Sequence, residues 1–351
     1  MTSDHALVLG ATGQLGRAVV SALHADGWRV TAASRGGGRD PHWPEEVGEL
    51  VLDRDAPGAL AAAVGSGREL LFDCTAQTPA HARQVAGLTG RLGSAVVVSS
   101  AAVYADGAGR SLGGETGFPT LPVPVTERQR TVPPGDGSYE ARKALLEREL
   151  LALGERLPVT LLRAAALHGP YCRTPRELYF VQRWLDGRRA RVLAFGGRSR
   201  FHTAHVANVA ELVRLAARTP GSRVLNAADP EALTVREIAE AIDAVLSWEC
   251  ETVPLDGPPP PGEPTVGRTP WSLPEPLVLD MTAAERELGY RPVSGYAASL
   301  PATVEWLADH VRGRDWRAVL PEMAAAYDPM GDLFDYAAED RWSRSTGRAP
   351  G

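Results

Sequence analysis

The chain has 351 residues, a formal net charge of −6 and 44% hydrophobic residues. That length holds one large α/β domain, or one domain with a smaller lobe, and the acidic balance gives no general attraction to nucleic acid. No apolar run is long enough for a membrane span. The first ten residues read as the approach to a strand and not as a signal peptide. The three cysteines, Cys74, Cys172 and Cys250, are odd in number and far apart. They make neither a disulfide framework nor a zinc spacing, which points to a reducing, cytoplasmic setting.

The first half alternates short apolar runs with helical patterns. Strands are expected at Ala6–Leu9, Trp28–Ala33, Glu49–Leu52, Glu69–Cys74 and Ser94–Ser99. Helices are expected at Gln14–Ala25, Pro57–Val64 and Ala80–Leu92. Continuous Val/Leu runs between helices are the mark of a parallel sheet covered on both faces, so the fold class is α/β, a doubly wound Rossmann-type sheet. Asp106–Gly137 is rich in Gly, Pro and Thr and reads as an inserted loop. Ser138 then caps a helix running to about Gly154, and Val159–Arg163 is a sixth strand. Beyond Gly169 the pattern loosens. Helices at Pro175–Asp186, Val206–Ala217, Val235–Leu246 and Ala283–Leu288 mix with strands at Arg191–Ala194 and Val224–Ala227, and Asp256–Pro276 is too proline-dense for regular structure. These divisions give a dinucleotide-binding domain over 1–169, an interleaved substrate lobe of mixed structure over 170–311 and a C-terminal extension over 312–351.

Gly10-Ala-Thr12-Gly13-Gln14-Leu15-Gly16 lies between the first strand and the first helix. Glycines there let the backbone turn tightly and approach a pyrophosphate, and the helix N-terminus supplies amide donors. The second strand ends Ala33-Ser34-Arg35, where an acid would read the ribose hydroxyls of NAD; Arg35 is placed instead to pair with a 2′-phosphate, with Arg17 and Arg39 as helpers. NADP(H) is therefore favoured and NAD(H) is the alternative. Asp53, after the third strand, is a candidate acceptor for the adenine amino group.

Lysine and arginine total 37, and Lys143 is the one lysine. It follows Tyr139 by four residues, one helical turn on the same face. An ammonium is a compact point charge where a guanidinium is a broad fork, and a cation beside a phenol pulls its pKa toward the range of a general acid or base.

Together these motifs resemble the extended short-chain dehydrogenase/reductase family, the NAD-dependent epimerase/dehydratase group, over nearly the whole chain to about Trp306. The glycine motif matches Gly10, Gly13 and Gly16, and the family's Tyr-x-x-x-Lys matches Tyr139 and Lys143. Ser99-Ser100-Ala101-Ala102-Val103-Tyr104 matches the fifth-strand motif, Leu162-Arg163 with His168-Gly169-Pro170 the sixth-strand motif, and His205-Val206-Ala207-Asn208-Val209-Ala210 a late motif in which Asn replaces the usual Asp. The resemblance implies a hydride transfer between the nicotinamide and a carbinol or carbonyl carbon, with NADP(H) favoured by Arg35. Tyr139 moves the hydroxyl proton, Lys143 holds the nicotinamide ribose and Ser100 hydrogen-bonds the substrate oxygen. It also implies a homodimer as the default assembly. Two alanines, Ala101 and Ala102, stand where dehydratases of the family carry Asp-Glu, which argues against loss of water.

The substrate is expected to be a small molecule, phosphorylated or nucleotide-linked, with Tyr104 and His168 at the pocket's border and Arg198 and Arg200 as anion contacts. These two close a run of six arginines (Arg183, Arg188, Arg189, Arg191, Arg198, Arg200) in which Asp186 is the only acid. A bidentate phosphate clamp and a solvated face in an arginine-rich protein both remain open. His202 and His205 have no acid or thiol at ligand spacing, so no metal is expected. A nucleotide-sugar epimerase with tightly held NAD(+), and a non-catalytic dinucleotide sensor, are the alternatives to a reductase.

Overall fold

The computed structural model describes residues 4–114 and 117–347. The chain begins β1 (His5–Leu9), α1 (Gln14–Ala25), β2 (Arg29–Ser34), β3 (Gly48–Val51), α2 (Ala59–Val64), β4 (Arg68–Asp73), α3 (Pro79–Ala86), β5 (Leu92–Ser100), α4 (Tyr139–Leu151) and β6 (Val159–Ala164). It continues through β7 (Ala166–His168), α5 (Leu178–Leu185), β8 (Ala190–Leu193), β9 (Thr203–His205), α6 (Val206–Arg218) and β10 (Arg223–Ala227). The last elements are α7 (Val235–Leu246), β11 (Glu251–Pro254), α8 (Thr282–Leu288), α9 (Tyr296–Val311), α10 (Trp316–Val319), α11 (Pro321–Tyr327) and α12 (Tyr336–Ser345). Two compact units share this path. The first takes the chain to Ala165, Ala204–Ala228 and Leu279–Val293; the second takes Ala166–Thr203, Asp229–Val278 and everything from Ser294.

The first unit is a seven-stranded parallel sheet in the order β10-β6-β5-β4-β1-β2-β3. The apolar runs explain it. Leu7, Leu71, Val97 and Leu161 point to one face, where they meet Leu60 of α2, Val85 of α3 and Leu146 and Leu150 of α4. The alternate residues Ala6, Val8, Leu70 and Phe72 point the other way and are equally buried, on the side where α1 packs against α6. Each fully buried Leu or Val contributes about 1.5–3 kcal/mol.

One helix is shorter than its pattern implied. The apolar spacing carries on to Leu92, but α3 stops at Ala86. The Gly87 amide closes onto the Arg83 carbonyl at 2.9 Å and Gly90 turns the chain with φ +83°. Leu92 is thereby released into β5, which begins two residues before the predicted strand.

The second unit is built on α5, α7 and α9. Tyr179, Phe180, Trp271, Tyr296 and Leu300 form its core together with Trp316, Met323 and Leu333. The tail from residue 312 is thus part of this core through its apolar side chains. Asp256–Pro276 carries no helix or strand, as its prolines dictate. No helix among the described residues is long and apolar enough to cross a membrane.

Candidate active site

The glycine turn, Ser100, Tyr139 and Lys143 lie at the ends of β1, β4 and β5 in the first unit. Gly10 leaves β1 with φ +77°, its amide and that of Ala11 bonded to the Ala33 carbonyl at 3.0 and 3.1 Å. A Cβ on Gly10 would sit 2.7 Å from Cys74 Sγ and from Thr75 Cγ2. On Gly16 it would sit 2.1 Å from the Gly10 carbonyl oxygen, so only glycine lets α1 start this close to the turn. Gly13 is the N-cap of α1 and no side chain caps that end. Thr12, Gln14 and Leu15 belong to the same turn. A glycine cradle with an uncapped helix N-terminus fits a dinucleotide pyrophosphate.

At the end of β2, Ser34 donates to the Gly37 carbonyl at 3.1 Å and Arg35 is exposed. Its expected helpers have other tasks. Arg17 donates to the Thr12 carbonyl at 2.9 Å and pairs with Asp40. Arg39 braces the following loop on the carbonyls of Trp43, Pro44 and Val47. Both side chains are tied into the fold by these bonds, and Arg35 is the exposed arginine at the end of β2. Asp53 is exposed after β3 and accepts the Asp55 amide at 3.0 Å.

Ser138 caps α4 by accepting the Ala141 amide at 3.2 Å, which places Tyr139 as the first helical residue. Ser100 ends β5, accepts the Ala102 amide at 3.1 Å and lies near enough to the Tyr139 phenol to lower its pKa. Tyr139 is 39% exposed over the whole residue; partial desolvation of its phenol raises the pKa, Ser100 and Arg142 oppose this, and Glu140 raises it further. The cation was expected to pull the phenol down, and the structure corrects that. Lys143 Nζ lies 5.8 Å from the Tyr139 ring centre and donates instead to the carbonyls of Ala76 at 2.6 Å and Val98 at 3.0 Å. Lys143 is buried, and that burial lowers its pKa to about 8 against the opposing pull of Asp73, Cys74 and Glu147.

Two polar groups that sequence reasoning missed lie behind these residues. Glu147, one turn along α4 from Lys143, takes Arg163 on both oxygens and the Ser99 hydroxyl at 2.5 Å. Asp73 takes Arg54 and Thr75. Their signal was faint: a single acid at the end of an apolar strand, and an arginine between Asp53 and Asp55.

The proposed substrate contacts fare differently. Tyr104 is 1% exposed, its hydroxyl donates to Asn226 at 2.5 Å and Arg163 covers its ring, so it is a packing residue with no face for a ligand. His168 is buried within the second unit, bonded to Asp229 at 2.7 Å and packed on Tyr296. Of the arginine run, Arg183 pairs with Glu339, Arg188 with Asp340 and Arg191 with Asp243, while Arg189 covers the Trp248 ring. Those acids lie far along the chain, so the stretch is not the free cationic clamp its local sequence offered. Arg198 and Arg200 are exposed, Arg200 with one bond to the Ala232 carbonyl at 2.7 Å. In the late motif, Asn208 accepts the Val293 amide at 2.8 Å, a structural bond that Asn makes as well as Asp.

The chain matches the family described as the NAD dependent epimerase/dehydratase family over residues 6–228. No curated protein matches its sequence significantly. Among solved structures it is similar to a UDP-N-acetylglucosamine 4-epimerase from Methanobrevibacter ruminantium in complex with UDP-N-acetylmuramic acid (TM-score 0.66, 20% identity, 88% of this chain and 99% of that one). A dTDP-glucose 4,6-dehydratase from Bacillus anthracis in complex with NAD gives TM-score 0.64 at 18% identity, covering 88% and 98%. A UDP-glucose 4-epimerase from Thermus thermophilus in complex with NAD gives 0.63 at 20% identity, covering 88% and 100%.

Proposed function

We propose, from the premise that this chain belongs to the NAD dependent epimerase/dehydratase family and is an enzyme of the extended short-chain dehydrogenase/reductase type, that it reduces or oxidises a carbonyl or carbinol carbon with Tyr139 as general acid/base. The bound nicotinamide supplies or accepts the hydride. Tyr139 gives its proton to the substrate oxygen in the reducing direction and takes it back in the other. Ser100 holds that oxygen, and Lys143, with two of its three donors on protein carbonyls, offers the remaining one to the nicotinamide ribose. The observation that carries the reading is Tyr139 at the head of α4 beside Ser100 at the end of β5, with the buried Lys143 ammonium one turn behind.

Arg35 favours NADP(H), since a guanidinium at the end of β2 pairs with a 2′-phosphate and no acid is there for ribose hydroxyls. The substrate class we favour is a nucleotide-linked small molecule, on the likeness to structures that hold such ligands. Ala101 and Ala102 support reduction or epimerisation over dehydration, because neither side chain can move a proton.

An assay of the purified protein with NADPH and with NADH, against keto compounds and nucleotide sugars, tests this. Turnover dependent on added NADPH supports the reductase. Protein that retains NAD(+) through purification and interconverts sugar epimers without added cofactor supports the second reading, a nucleotide-sugar epimerase, which the overall likeness to two such epimerases favours. No dinucleotide binding of either kind contradicts both.

A further inference from the structure

The proposed chemistry leaves unused a buried polar box behind the site. Asp73 ends β4 with no exposed surface. Its Oδ1 accepts the Thr75 amide at 2.8 Å and the Thr75 hydroxyl at 2.8 Å, and its Oδ2 accepts from Arg54 Nη1. Arg54 is also buried. It donates to Thr75 Oγ1 at 3.0 Å and, from Nε and Nη2, to Gln84 Oε1 at 3.1 and 3.0 Å, while Gln84 donates back to the Arg54 carbonyl at 2.9 Å. This box fixes the turn from Asp73 to Ala76, and the turn brings the Ala76 carbonyl to 2.6 Å from Lys143 Nζ.

The geometry leaves Lys143 with an electrostatic debt. An ammonium at 2% exposure is held directly by two neutral carbonyls, and dipoles alone do not replace the hydration that a buried charge loses. Four ionisable groups act on it besides the Tyr139 ring: Asp73, Cys74 and Glu147 favour its charge, in that order, and Arg54 opposes it. The Cys74 thiol, pushed up to about 12 by burial, carries no charge at neutral pH. Glu147 is bidentate to Arg163 and Asp73 is paired with Arg54, but Asp73 alone of the two also fixes the turn whose Ala76 carbonyl meets Nζ.

We propose that Asp73, fixed by Arg54, is the positioning residue for Lys143: it folds the turn that presents the Ala76 carbonyl to Nζ, and its carboxylate is the buried counter-charge that keeps the ammonium protonated. The functional consequence rests on the reading of Lys143 as the ribose-holding group; the electrostatic arrangement does not. Arg54 has two opposed effects. It locks the carboxylate in place, and its own charge tempers what Lys143 experiences.

Lys143 is the only lysine, so lysine labelled with carbon-13 at Cε gives one resonance whose titration reads this amine without any enzyme assay. The wild-type midpoint is expected near 8. Asp73→Asn keeps the shape of the turn and an acceptor for Thr75 but removes the charge, so the midpoint falls by about one unit. Arg54→Gln removes the opposing cation, so the midpoint rises. Opposite displacements from two partners of one ion pair are not what a loss of packing produces. NADPH affinity, followed by nucleotide fluorescence, should weaken about fivefold in Asp73→Asn at pH 8, as the protonated fraction falls from about one half to about one eleventh, and recover as the pH is lowered. Coincident midpoints in wild type and Asp73→Asn overturn the proposal. If Asp73→Asn does not fold, Arg54→Gln decides: a rise supports the proposal, and an unmoved or lowered midpoint overturns it. If the midpoints move as expected but no dinucleotide binds the wild type, the positioning role stands and the functional reading falls.

Discussion

Lys143 and Arg183 are buried cations in different units, 2% and 3% exposed, with opposite surroundings. Lys143 meets the neutral carbonyls of Ala76 and Val98. Arg183 is forked onto both oxygens of Glu339 at 2.9 and 2.6 Å and also reaches the Tyr179 hydroxyl. A guanidinium paired bidentately is neutralised in place and serves the fold. An ammonium held directly by dipoles, with no carboxylate bonded to it, keeps a donor to offer, which is the condition in which a buried group acts on a ligand. Both stretches stood out in the sequence as cationic chemistry, and the partner each cation finds is what separates them.

The largest expected effect bears on the Lys143 side. Tyr139→Phe should lower turnover by about 10²–10⁴-fold while dinucleotide affinity stays within about twofold. Full activity in that variant would remove the catalytic assignment.

The Arg183 side should break in stability and not in chemistry. Glu339→Gln leaves the buried guanidinium without its counter-charge and should cost about 3–5 kcal/mol, read as a lower urea midpoint. NADPH affinity should not change. A stable variant with impaired dinucleotide binding would reverse the roles assigned to the two cations.

Arg35 is the exposed case. Arg35→Ser should weaken NADPH about tenfold, in line with the loss of one charge-assisted pair, and leave NADH nearly as it was. Equal losses for the two dinucleotides would take Arg35 out of 2′-phosphate recognition.

The smallest effect concerns Arg110, paired to Asp106 in the inserted loop. Burial opposes ionisation of Asp106, but the amides of Thr120, Arg110 and Ala108 and the Arg110 side chain outweigh it and hold the carboxyl at about 2. With the folded pKa below the unfolded one, the contribution is complete above the usual carboxylate range and is lost as pH falls toward 2. Pepsin should therefore spare 106–120 near pH 4 and cut it increasingly below pH 3, and Asp106→Asn should be cut at both. Equal resistance of the two proteins at pH 4 would show that Asp106 does not hold the loop.

What was legible in the sequence was local. Gly10 and Gly16, where a Cβ would collide with its neighbours, announce a turn together with Gly13, and Tyr139 with Lys143 announces a helix face because four residues make one turn. The parallel sheet followed from apolar runs long enough to be buried on both sides. What escaped depends on partners distant in sequence. Asp73 looked like the end of a strand because nothing near it names Arg54, and the arginines from 183 to 191 looked free because Glu339, Asp340 and Asp243 lie 52 to 156 residues away. The end of α3 escaped for the opposite reason: the apolar rhythm continues past Gly87, and two glycines override it.

The most direct measurement takes Lys143→Arg, which keeps a positive charge but puts a broad fork where two carbonyls hold a point charge at 2.6 and 3.0 Å. Titrated with NADPH beside wild type and Lys143→Met, it should lose at least about tenfold in affinity, as the methionine variant does, with circular dichroism unchanged. A Lys143→Arg protein that binds NADPH as tightly as the wild type would contradict the claim that an ammonium is needed at this position.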